Sequence, residues 1–210
     1  MATLEYDANL SISYESLTNF EIIPPYRNLY ALLVGINEYQ NHDHYKPLSA
    51  AIRDVTDIER FLLSKLSVPQ DRVRKLLDGD ATRTQIIKEI EALQFNSDIC
   101  YGDPILIYYA GHGTRSQAPA GYNTYASDGK VECLCPADIS PPNASSPVTA
   151  IPDVVLGLLL SELAEKKGNN ILCPLQRHLQ IYGSNIYYVD CHSRLLSFSK
   201  CRSRHARHLV

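Results

Sequence analysis

Two stretches of the chain are apolar at nearly every position, Leu29–Ile36 (LYALLVGI) and Asp103–Ala110 (DPILIYYA), and Ser184–Asp190 (SNIYYVD) reads as a last strand. Runs of this length without polar alternation fit strands covered on both faces. Between them the period changes. Leu48, Ile52, Val55, Ile58, Leu62 and Leu66 recur every three or four residues, which predicts a helix with one buried stripe. DRVRKLLDGDA (Asp71–Ala81) reads as a short strand and a turn. Thr82 and Gln85 then make a capping box for a second helix carrying Ile86, Ile87, Ile90 and Leu93. Ile151–Asn170 predicts a third helix. Pro152 suits its first turn, Lys166 and Lys167 its negative end, and Gly168 its stop. KVECLCPAD (Lys130–Asp138), inside a long loop, suits a short strand pair. Strand and helix alternate throughout, so the expected fold is α/β: a mostly parallel sheet flanked by helices in three layers. Residues 1–27, ending in Pro24-Pro25, read as an N-terminal extension, 28–193 as the folded domain, and 194–210 as a basic divergent tail.

Composition changes this picture little. The chain has 210 residues, 45% of them hydrophobic, and a net charge of −3, so nothing drives it toward nucleic acid or an anionic membrane. The exception is local: Arg194, Lys200, Arg202, Arg204 and Arg207 close the chain with no acid among them, a solvated tail by composition. No run approaches the ~18 apolar residues of a membrane span. Glu5 and Asp7 are foreign to a secretory leader. The expected location is therefore cytoplasmic, and the six cysteines are expected to be thiols. Cys133-Leu-Cys135 has no zinc-site spacing. Asp128, Glu132 and Asp138 are scattered along a loop and make no closed calcium loop. His42 and His44 fit a polar loop. No glycine-rich phosphate cradle follows any strand.

The residue that invites chemistry is His112, in AGHGT just after the second apolar run. Ligands of open α/β sheets gather beyond the carboxyl ends of strands. Gly111 and Gly113 are expected to free the backbone and open the imidazole to a cleft. With an unperturbed pKa of ~6.5, an imidazole trades protons near neutrality. Its counterpart is Cys191, which follows the expected last strand in YYVDCHS. Two parallel strands can bring these residues to one edge, where imidazole favours thiolate and protonates a leaving amine. Amides around Gly113 are placed to receive an oxyanion.

YALLVGINEY, PLSAAIRD, GDPILIYYAGHG, CLCPAD, IPDVVLGLLLSELAEKKGNN and DCHS stand in the order seen in metacaspases, especially fungal ones. The resemblance is strongest over residues 30–170. It implies a caspase-like sheet and a cysteine-type endopeptidase that cleaves peptide bonds after Arg or Lys, often helped by Ca²⁺. It further implies that His112 is the general acid and base, Cys191 the nucleophile, and Asp54 a carboxylate that binds the basic side chain of a protein or peptide substrate. Beyond Asn170 the pattern departs. Asp190 and Cys191 are adjacent where the family has one residue between, and Arg194 stands where it has glycine. These departures imply an aberrant or truncated C-terminal part and a sheet incomplete on that side. They also leave an alternative: a catalytically inactive pseudo-peptidase that binds or regulates other proteins.

Overall fold

The computed structural model describes residues 26–118, 128–141 and 143–178. The first apolar run becomes β1 (Tyr30–Gly35). The striped segment becomes α1 (Ala51–Lys65). Then come β2 (Val73–Leu77), α2 (Arg83–Phe95), β3 (Ile105–Gln117), β4 (Lys130–Leu134), β5 (Ile151–Pro152), α3 (Asp153–Lys167), β6 (Ile171–Leu172) and β7 (Leu175–His178). These strands form one sheet, with β2-β1-β3-β4-β5 as its main path and β6 and β7 also paired to β3. β1 pairs parallel to β2 and β3, and β6 and β7 run parallel to β3. β4 is antiparallel to both β3 and β5. KVECLCPAD thus supplies a strand, with partners on two sides.

The continuous apolar runs are continuous because both faces are covered. Successive side chains of a strand point to opposite faces. Leu29, Ala31 and Leu33 pack with Ala51, Val55 and Leu62 of α1. Tyr30, Leu32 and Val34 pack with Ile86 and Ile90 of α2 and Leu160 and Leu163 of α3. The three layers expected from the sequence are present: α1 on one face, α2 and α3 on the other. Gly35 marks the closest approach of α1 to the sheet. A Cβ there would lie 2.8 Å from Val55 Cγ2 and 3.1 Å from the Ala51 carbonyl.

The helix ends follow their sequence signals, with two differences. Thr82 caps α2 by accepting the Gln85 N–H at 3.2 Å, but the Gln85 side chain reaches forward to Glu89 instead of back to Thr82. Gly168 ends α3 with φ +88°, a positive angle that favours glycine. Ala50 precedes α1 and offers no capping side chain. Asn37 Oδ1, from the end of β1, accepts the Ala51 N–H instead, at 3.0 Å.

β6 and β7 were not expected, since 171–183 carries no clear period. They pair with β3 on the edge opposite β1, and the sequence placed its last strand at Ser184–Asp190. That segment lies outside the described residues, as do 1–25 of the extension and the tail 194–210. No described helix is long and apolar enough to cross a membrane.

Candidate active site

β3 changes partners partway along one edge. Its lower part runs beside β1, whose last register pair is Gly35 with Ala110. Its upper part runs beside β4, beginning at Gly113 with Leu134. His112 lies in the gap between these two ladders. On the other edge of β3 the parallel pairing to β7 includes His112 opposite His178. The site is therefore the carboxyl rim of the parallel strands, where sheets of this type bind ligands.

Two sequence expectations about His112 are corrected here. It is a strand residue, because β3 continues to Gln117, and it is buried, with 8% of its surface exposed. Nor do the glycines provide unusual backbone angles. Positive φ among the described glycines occurs only at Gly102, Gly129 and Gly168. Gly111 is needed for space: a Cβ there would sit 2.6 Å from Tyr109 Oη and 2.7 Å from Tyr39 Oη. Gly113 sits in the ladder and not in a loop. The adjacent bond runs from the Cys135 N–H to the His112 carbonyl at 3.0 Å. This makes Gly113 and Leu134 a non-hydrogen-bonded pair and turns the Gly113 N–H toward the β7 edge.

The β1–α1 loop folds over the imidazole. His112 Nε2 lies 2.7 Å from the Lys46 carbonyl. A carbonyl only accepts, so Nε2 carries the hydrogen and donates it. In the neutral ring the lone pair is then on Nδ1, the nitrogen able to take a proton. Tyr39 and Tyr45 flank the ring, with centroids 5.0 Å and 5.7 Å from it. The loop itself is anchored at its base. Asp78 Oδ1 accepts the N–H groups of Asn37 at 2.7 Å and Glu38 at 3.0 Å, Gln40 N–H bonds the Ala137 carbonyl, and Leu48 N–H bonds the Asn37 carbonyl. Lys46 was missed in the sequence because the contributing atom is a main-chain oxygen, which any residue could supply.

Asp54 stands in the first turn of α1, half-buried. Its charge reaches Tyr108, four residues before His112. The Tyr108 phenol is pushed up to about 12, first by burial and then by that carboxylate. Asp54 is therefore on the α1 side of the same strand. Cys191 lies outside the described residues, 13 positions beyond His178. None of the four described cysteines, Cys100, Cys133, Cys135 and Cys173, is in a disulfide. Cys173 is fully buried, and burial pushes its thiol up to about 12. An inert thiol is the consequence.

Among the described residues no group of three or more His, Cys, Asp or Glu side chains gathers to hold a metal. Asp128 pairs with Arg115 at 2.9 Å, and Asp138 accepts the Arg83 N–H at 2.8 Å. These carboxylates are held by protein donors and do not fit a calcium site.

The fold and the strand-rim histidine define a caspase-like α/β domain. The sequence pattern of the metacaspase, peptidase C14 domain matches residues 30–147, more than half of the chain, and the chain belongs to that family. Curated relatives include Arabidopsis thaliana Metacaspase-7, 26% identical over 83% of this chain and 47% of the relative. Metacaspase-4 from the same plant is 28% identical over 52% of this chain and 26% of the relative. The chain thus spans less than half the length of these relatives. Among solved structures, protein GSU0716 from Geobacter sulfurreducens superposes with a TM-score of 0.51 at 21% identity. That match covers 70% of this chain and 48% of the other, and it supports the fold alone.

Proposed function

We propose that the chain is a cysteine endopeptidase acting after Arg or Lys, with Cys191 as nucleophile and His112 as proton carrier. The observation that carries this reading is the bond from His112 Nε2–H to the Lys46 carbonyl. It fixes the ring with Nδ1 as the accepting nitrogen and gives a positive ring a neighbouring negative dipole. In the proposed reaction the Cys191 proton passes to Nδ1, and the thiolate sulfur bonds to the scissile carbonyl carbon. The Gly113 N–H is a candidate donor to the resulting oxyanion. The intermediate collapses as His112 returns its proton to the leaving amine, leaving a thioester. Water then gives a proton to Nδ1 and attacks the thioester, which releases the acid and restores the thiol. Asp54 supplies the negative charge that favours a guanidinium or ammonium side chain.

Thirteen extended residues span up to about 45 Å, so a return of Cys191 from the end of β7 to the rim is sterically allowed. The finer assignment, a fungal-type chain with a divergent part from about residue 171, rests on motif order and on Asp190-Cys191 and Arg194. Those same departures favour the second reading, an inactive binding protein. Hydrolysis of fluorogenic peptides ending in Arg or Lys, measured with and without Ca²⁺, separates the two. The proposal expects turnover that Cys191→Ala and His112→Ala abolish. Turnover unchanged by Cys191→Ala removes the mechanism, and no turnover under any condition favours the binding protein.

A further inference from the structure

The main chain of His112 poses a problem that β3 alone does not solve. Its N–H faces the edge where β1 has ended and β4 has not begun, and a buried strand N–H without a partner is costly. Tyr39 fills the missing rung: its Oη accepts the His112 N–H at 2.7 Å. Tyr109 Oη donates to the His112 and Cys135 carbonyls, 2.8 Å from each. The His112 amide is thus held by one phenol and its carbonyl by the other. Tyr39 and Tyr109 are 1% and 2% exposed, so water does not substitute for either. The absence of a side chain at Gly111 is what admits both oxygens.

We infer that Tyr39 is a positioning residue for His112, holding its main chain through the phenol oxygen and its ring through packing, so that the imidazole meets the Lys46 carbonyl in one orientation. The catalytic consequence rests on His112 being the proton carrier proposed above; the geometric claim does not. Tyr39 touches no reacting atom. It acts through His112, where a misplacement of about 1 Å is enough to cost on the order of 100-fold in rate.

The test uses the full chain with isotope-labelled histidine and reads amide exchange and ring tautomer by NMR, without substrate. In the unaltered protein the His112 amide should be protected although no strand faces it, and its ring should be held as the Nε2–H form. In Tyr39→Phe the His112 amide should exchange at least roughly 10-fold faster while Val34, in the ladder below, is unchanged, and the single tautomer should be lost. Retention of both signals in Tyr39→Phe overturns the inference, as does acceleration of His112 and Val34 together. If Tyr39→Phe does not fold, the unaltered chain decides: His112 exchanging as fast as exposed Asp43 overturns the inference, and protection upholds it. In a kinetic arm, kcat should fall about 10- to 100-fold with KM within roughly twofold. Loss of turnover in His112→Ala but none in Tyr39→Phe rejects the positioning role and spares the peptidase reading. An inactive unaltered chain with the NMR signatures intact rejects the peptidase reading and spares the geometry.

Discussion

Gly111→Ala tests the packing of the histidine rim without removing a functional group. The new Cβ would lie 2.6 Å from Tyr109 Oη, 2.7 Å from Tyr39 Oη and 2.9 Å from Tyr109 Cζ. Carbon contacts become favourable near ~3.5 Å, so the deficit is roughly 0.8–0.9 Å against two oxygens at once. Neither oxygen moves freely, because Tyr109 Oη is bonded to two carbonyls and Tyr39 Oη to the His112 N–H. Overpacking of this kind costs about 1–3 kcal/mol. Displacing one buried hydrogen bond adds about 1–3 kcal/mol. Stiffening of the unfolded chain returns about 0.4–1 kcal/mol. The net loss is about 3 kcal/mol, within bounds of about 1 and 6. For a chain of this size that is a fall in Tm of about 6–12 °C. Gly79→Ala is the control: its Cβ meets nothing within 4 Å, and it should be neutral or slightly stabilising. Thermal and urea unfolding followed by circular dichroism measure both. Equal stability of the two variants would refute the claim that Gly111 is required for space.

Asp78→Ala removes the acceptor that anchors the β1–α1 loop through two N–H groups. It should cost about 1.5–3 kcal/mol in urea unfolding, and it should loosen the His112–Lys46 contact before the sheet unfolds. Cys173, with its thiol pushed up to about 12 by burial, should resist iodoacetamide at pH 8 in the native chain while exposed Cys100 reacts. Mass spectrometry of the labelled peptides reads both. At high pH stability should fall. Burial raises the phenols of Tyr45 and Tyr108 from 10.0 to about 12. The unfolded chain therefore loses those protons first as pH rises above about 10, and the folded state loses ground between pH 10 and 12. Tyrosinate absorbance should show these groups ionising only with unfolding; free titration at pH 10 would contradict their burial.

Element types were legible where a single physical cause dominates. The run Leu29–Ile36 reports two covered faces, and the steps from Ile52 to Leu62 report one. Gly168 and Thr82 mark helix ends by their own chemistry. What escaped was set by partners remote in sequence. Asn37 caps α1 from fourteen residues upstream of Ala51, a distance no capping pattern covers. The extension of β3 through His112 to Gln117 depends on β4 being there to receive it, and GHGTRSQ alone reads as loop. The same holds for β6 and β7, too short and too mixed to show a period. At the rim, His112 was legible from its place after an apolar run, but its burial was not, because Tyr39, Tyr45 and the Lys46 carbonyl converge on it from a loop without a repeating pattern.

The most direct measurement of the central claim is the rate of Cys191 alkylation across pH 5–9 in the folded chain, with and without His112→Ala. If imidazole and thiol share the rim, Cys191 should react faster than Cys100, with a thiolate midpoint below the ~8.5 of an ordinary thiol. His112→Ala should abolish that advantage. A Cys191 that reacts no faster than Cys100, and equally with and without the His112 ring, would contradict the account.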